Sequence, residues 1–196
     1  MRYSAHVLQL TDTWSTRLSV LATAKRTAAL INALADDRTD ADALAAVLRA
    51  HGENDPLQLE DEDLPGMRDA AATLREIFAA RDVNEASNAL NHLLREHTGP
   101  MRLTSHSGTT PWHPHLDHDD APWDEWLLAS SCMALTVLIW DRQRPPGGLC
   151  ASPSCDNVFL TSGSGPERRY CSRRCATRER VAAHRRTHAA SDHATS

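Results

Sequence analysis

The stretch that decides the fold opens as Cys150-Ala-Ser-Pro-Ser-Cys155 and closes, after fifteen intervening residues, as Cys171-Ser-Arg-Arg-Cys175. Two close cysteine pairs joined by a short loop are the arrangement that four-coordinate zinc requires. Each pair supplies two thiolates from one local turn, and the loop brings the turns together. Thiolates are soft donors that favour zinc or an iron–sulfur cluster over magnesium or calcium. Residues 147–188 hold few large apolar groups: Leu149, Val158, Phe159, Leu160, Tyr170 and Val181. So small a core needs a staple, and zinc contributes folding free energy directly. Four cysteines fill every position, so the expected site is one closed, structural zinc held by Cys150, Cys155, Cys171 and Cys175. An iron–sulfur cluster and a pair of disulfides are the competing readings. No apolar leader is visible before residue 15, which disfavours disulfides and makes an intracellular, cytoplasmic location the expectation. His184 and His188 stand four apart and offer a substitute for one cysteine pair, at a spacing shorter than a zinc finger normally uses.

Outward from this unit the charge changes sign. Residues 1–146 carry 13 Arg and Lys against 22 Asp and Glu, a net of −9. Residues 147–196 carry 8 Arg against 4 acidic residues, a net of +4. The overall −5 therefore hides a basic C-terminal unit on an acidic body. Hydrophobic residues make up 41% of the 196 and charged residues 24%, so a packed core is expected and a disordered chain is not. The longest apolar run, residues 133–140, is too short for a membrane span.

The body reads as helices. Leu18, Leu21, Ala28, Ile31 and Leu34 share a helical stripe over residues 13–34. Thr39 or Asp40 caps a short second helix containing Leu44, Val47 and Leu48. Residues 51–60 read as a loop. A third helix starts near Pro65, and a fourth follows Asp82, with Glu85 three residues on in a capping-box-like pattern. Gly99 and Pro100 end it. Residues 101–116 alternate about a Ser107-Gly108-Thr109 turn, which predicts a hairpin with Pro114 on an edge. Residues 122–142 form the most apolar helix, expected at the centre, and Arg144-Pro-Pro-Gly-Gly148 breaks it. The expectation is a mostly α chain of the α+β class. A helical domain over 1–146 carries a small β-hairpin, a treble-clef-like zinc finger follows over 147–188, and a disordered tail covers 189–196.

The cysteine unit resembles a CGNR-type zinc finger. In that pattern the first cysteine couple is followed by a Val/Leu-Phe stretch, two arginines, an aromatic, Cys-Ser, and Cys-Gly-Asn-Arg. Here Val158-Phe159-Leu160, Arg168-Arg169-Tyr170-Cys171-Ser172 and Cys175-Ala176-Thr177-Arg178 stand in those places. Ala176 and Thr177 replace the motif's Gly and Asn, and Thr161 replaces the usual acidic residue. Such fingers follow an ABATE domain, a mostly helical region described as a stress-induced transcription regulator. The order of elements in residues 1–146 resembles it. The resemblance implies a bacterial cytoplasmic regulator that is not an enzyme.

Ser172 is placed to cap a helix in which Arg174, Arg178, Val181 and Arg185 share one stripe and Arg173, Arg180 and His184 lie beside it. Arg173, Arg174, Arg178, Arg180, Arg185 and Arg186 are the candidate nucleic-acid contacts, since Arg serves both phosphate neutralisation and guanine readout. The competing use of these arginines is donation to the cysteine sulfurs or pairing with the acidic body. The first functional expectation is a zinc-binding transcriptional regulator contacting DNA through this finger, with an effector pocket or a homodimer interface in the helical domain. The alternative is a zinc-stabilised protein-interaction module without DNA binding. A third is a metalloenzyme using a second metal at His113, His115 and Asp117, within a His- and Asp-rich segment at 106–120. Trp112, Trp123, Trp126 and Trp140 are candidate linings of an effector pocket, and Cys132 is expected in the core.

Overall fold

The computed structural model describes residues 16–161 and 168–193, apart from residues 106, 109–111 and 119. Four helices come first: α1 (Thr16–Leu34), α2 (Ala41–Ala50), α3 (Leu64–Ala79) and α4 (Val83–Glu96). Strands β1 (Arg102–Thr104) and β2 (His113–His115) form an antiparallel hairpin with Leu103 opposite Pro114. Helix α5 (Trp123–Arg142) follows. A second antiparallel hairpin, β3 (Gly147–Leu149) with β4 (Val158–Leu160), leads into α6 (Arg173–His193).

Local chemistry sets the helix ends. Asp40, and not Thr39, caps α2 by accepting from the Ala43 N–H at 2.8 Å. Asp82 caps α4 by accepting from the N–H groups of Asn84 and Glu85 at 2.8 and 2.9 Å. The Glu85 carboxylate accepts from the Arg81 N–H at 2.9 Å rather than from that of Asp82, so the box is displaced by one residue. Leu64 opens α3 with Pro65 in its first turn, where proline's missing N–H costs nothing. Gln143 ends α5 at a φ of 51°, its N–H donating to the Ile139 carbonyl at 2.8 Å.

Helix α5 is the central element, packed against α1, α3 and α4. Its Leu127 and Leu135 meet Leu30, Ile31, Leu44, Met67, Leu74, Ile77 and Phe78 in one solvent-excluded core. Each such side chain stabilises the fold by roughly 1.5–3 kcal/mol relative to exposure. The polar pair inside this core, Thr27 and Ser131, is satisfied internally by a 2.8 Å hydroxyl–hydroxyl bond. Cys132 is fully buried, and burial pushes its thiol up to about 12, as befits an inert core residue.

The second hairpin ties the cysteine unit to the body. Val158 and Leu160 lie in the same core as the helices. The Asn32 side-chain amide on α1 donates to the Val158 carbonyl at 3.1 Å and accepts from its N–H at 2.7 Å, acting as a one-residue strand partner. Arg142 donates to the Thr161 carbonyl at 2.7 Å, and Arg75 donates to that of Asp156. At Gly147 a Cβ would sit 1.8 Å from the Phe159 carbonyl oxygen and 3.0 Å from the Phe78 ring, so only glycine permits the close approach of β3 to β4 and α3.

One boundary differs from the sequence expectation. Helix α6 runs to His193, past residue 188, because Ala189 and Ala190 favour helix and no Gly or Pro stops it. Helix α1 is described from Thr16, and residues 13–15 of its expected span, like residues 194–196, lie outside the described residues. Among the described residues no helix is long and apolar enough to cross a membrane.

Candidate metal centre and its basic helix

Three elements deliver the four sulfurs. Cys150 follows β3, and its N–H donates to the Asn157 carbonyl at 2.9 Å, closing the base of the first cysteine loop. Inside that loop the Cys155 N–H donates to the Ser152 carbonyl at 3.0 Å, a tight reversal around Pro153. Cys171 lies just before α6 and Cys175 in its first turn. The Ser172 hydroxyl accepts from the Cys175 N–H at 3.2 Å, the N-cap bond expected for it. The Ala151 N–H donates to the Arg169 carbonyl at 2.8 Å, which lays the approach to the second pair alongside the first loop.

All four Sγ atoms lie within 4.8 Å of one another. Cys155 to Cys171 and Cys171 to Cys175 are both 3.6 Å. A zinc–sulfur bond of about 2.3 Å in a tetrahedron requires sulfurs about 3.8 Å apart, so the cluster fits zinc with little adjustment. None of the five cysteines is joined in a disulfide. As thiols the four are unequal. Burial pushes Cys171 up to about 12, whereas the Ser172 hydrogen bond draws Cys175 down to about 7. Cys150 and Cys175 are nearly covered, at 9% and 6% exposure, and with four protein ligands no position is left for a substrate. Bound zinc supplies the cross-link that the unit's small apolar content does not. His184 stands nine residues beyond Cys175 on one helix, about 13 Å along its axis, and is out of reach of the cluster.

The arginines divide into two sets. Arg173, Arg174, Arg180, Arg185 and Arg186 are exposed along α6. Arg178 turns toward the cluster, donating to Ser152 Oγ at 2.6 Å and to Cys175 Sγ at 3.6 Å. Arg168, absent from the expected contacts, stacks over Phe159 at 5.2 Å and donates to the carbonyls of Tyr170 and Cys171. Both take the structural use that the sequence left open for this arginine-rich stretch.

The remaining candidates form no second cluster of metal-ligand atoms among the described residues. His113 and His115 are in edge contact at 5.2 Å between centroids, and His115 pairs with the buried Asp117. Among the described residues the four cysteines are the group whose ligand atoms come together, while His106 and Asp119 lie outside the description. Trp123 and Trp126 pack edge-to-face at 5.1 Å against the core, with Arg26 over Trp126 at 4.5 Å. Trp112 and Trp140 are 72% and 76% exposed. A polar cleft of about 510 Å³ opens instead beside the cysteines, lined by Asn32, Ser154, Asn157, Ser172 and Arg174.

No curated protein matches the chain. Residues 148–188 match the family model of the CGNR zinc finger. The C-terminal unit is thus a CGNR zinc finger, built for one structural zinc on Cys150, Cys155, Cys171 and Cys175.

Proposed function

We propose that the chain is a cytoplasmic, bacterial DNA-binding transcription regulator and not an enzyme. Its zinc holds α6 in place, and Arg173, Arg174, Arg180, Arg185 and Arg186 contact the duplex. The helical body takes the ABATE-like role of effector binding or self-association. The observation that carries this reading is the exposure of α6. Between residues 173 and 186 only Cys175 is buried, so the helix is held out from the acidic body rather than docked on it. Residues 163–188 carry eight Arg against Glu167 and Glu179. A zinc with four thiolates subtracts two charges and still leaves a net positive surface suited to phosphate.

A second reading, a zinc-stabilised protein-interaction module, draws on the exposed Met101, Leu103 and Trp112 of the first hairpin and on Trp140. Fluorescence anisotropy of the zinc-loaded chain with labelled mixed-sequence duplex separates the two. Regulator activity requires binding that weakens steeply with salt, and a salt slope that falls by about 1 for each arginine lost in Arg174→Ala and Arg180→Ala. Absence of binding at low salt overturns the DNA reading and leaves the interaction module.

A further inference from the structure

Arg178 closes the Cys175-Ala-Thr-Arg stretch, one turn beyond the last cysteine. Its Nη2 donates at once to Ser152 Oγ, 2.6 Å away, and to Cys175 Sγ, 3.6 Å away. Ser152 lies inside the first cysteine loop and is only 3% exposed, and its hydroxyl donates onward to the Glu179 carboxylate. Glu179 Oε1 in turn stands 3.6 Å from Arg178 Nε. Arg178, Ser152 and Glu179 form a closed polar ring that joins the first cysteine loop to α6. The ring lies against a metal-binding sulfur without supplying a ligand.

We propose that Arg178 is a positioning residue of the zinc site: through Ser152 it fixes the first cysteine pair against the second, and through Cys175 Sγ it tunes one thiolate donor. This inference rests on the metal centre and goes beyond the DNA reading. A guanidinium is suited to the task because its planar fork addresses two acceptors at set angles, and charge-assisted donors are the strong ones. Lysine keeps the charge and loses the fork. Partners outside the ligand shell orient the ligands, and their loss typically costs about 10–100-fold in metal affinity. Removing Arg178 also leaves the buried Ser152 hydroxyl with Glu179 alone.

The test uses the full chain with Arg178→Ala, Arg178→Lys and Ser152→Ala. Zinc transfer to a chromophoric chelator and the thiolate-to-metal charge-transfer band of the cobalt(II)-substituted protein are the readouts. We expect Arg178→Ala to speed zinc transfer by about 10-fold or more and to shift the cobalt band. Ser152→Ala should speed transfer while leaving the band nearly in place, since it touches no sulfur. Arg178→Lys should restore the band more fully than the transfer rate. Wild-type transfer and an unmoved band in both Arg178 variants would overturn the proposal. So would a DNA salt slope reduced by one with unchanged metal readouts, which would make Arg178 a phosphate contact. Should Arg178→Ala fail to fold, the lysine and Ser152 variants decide by the same readouts. Should the chain bind no DNA, the metal readouts still stand.

Discussion

The helical body and the cysteine unit reach order by opposite means. The body buries apolar side chains of α1 to α5 in one core and keeps its polar pairs few. The cysteine unit buries little beyond Val158, Phe159 and Leu160 and converges four sulfurs instead. The two regions overlap at β4, whose Val158 and Leu160 belong to the body's core and whose preceding loop carries the first cysteine pair. The strand side of the finger is thus organised by the body and the sulfur side by the metal. Zinc accordingly sets the orientation of α6 more than it sets the fold of the chain.

The largest expected effect breaks one side only. Cys171→Ser should lose zinc and bring amide protection in residues 150–157 and 168–180 to the level of open loops, while α1, α3 and α5 keep theirs. Hydrogen exchange with metal analysis checks this, and equal loss in both regions would erase the distinction. The reverse perturbation is Leu135→Ala at the centre of the core. It should cost about 2–5 kcal/mol of global stability, read by urea unfolding, with one zinc per folded chain retained.

A smaller perturbation strikes the seam. Asn32→Ala removes both partners of Val158, at about 1–3 kcal/mol. It should lower the body's thermal midpoint and speed zinc loss together, as neither earlier variant does. The smallest effect concerns the connection from the first hairpin to α5. The Glu125 carboxylate, hydrogen-bonded to His118 at 2.7 Å, raises the His118 pKa above 6.5, while His118 lowers that of Glu125 below 4.5. The histidine's contribution is fully present below its ordinary pKa and is lost as pH rises through the raised one. That of the glutamate is present above its ordinary value and lost as pH falls through the lowered one. An NMR titration should place the His118 midpoint above 6.5, and Glu125→Gln should return it toward that value.

Much of this division was legible in the residues. Cysteine spacing identified the metal quartet because tetrahedral coordination imposes it, and the Ser172 cap follows from side-chain chemistry one turn away. Apolar periodicity located α1 to α5, and the Ser107-Gly108 turn located the first hairpin, since each signal is local. The second hairpin was not foreseen. The run Val158-Phe159-Leu160 is too short to mark a strand, and its pairing with Asn32 comes from 126 residues earlier. The same limit hid the roles of Arg168 and Arg178. Helical spacing placed Arg178 on the stripe of Arg174 and Arg185, but only the position of Ser152 across the fold draws its guanidinium to the cysteine cluster. Charge counting treats all these arginines alike, and tertiary hydrogen bonds separate them.

The most direct measurement is X-ray absorption at the zinc edge of the purified full-length chain, with metal quantified per chain. The predicted result is one zinc surrounded by four sulfurs at about 2.3 Å. A shell containing nitrogen or oxygen, fewer than four sulfurs, or two tightly held metals per chain would contradict a finger built on Cys150, Cys155, Cys171 and Cys175 alone.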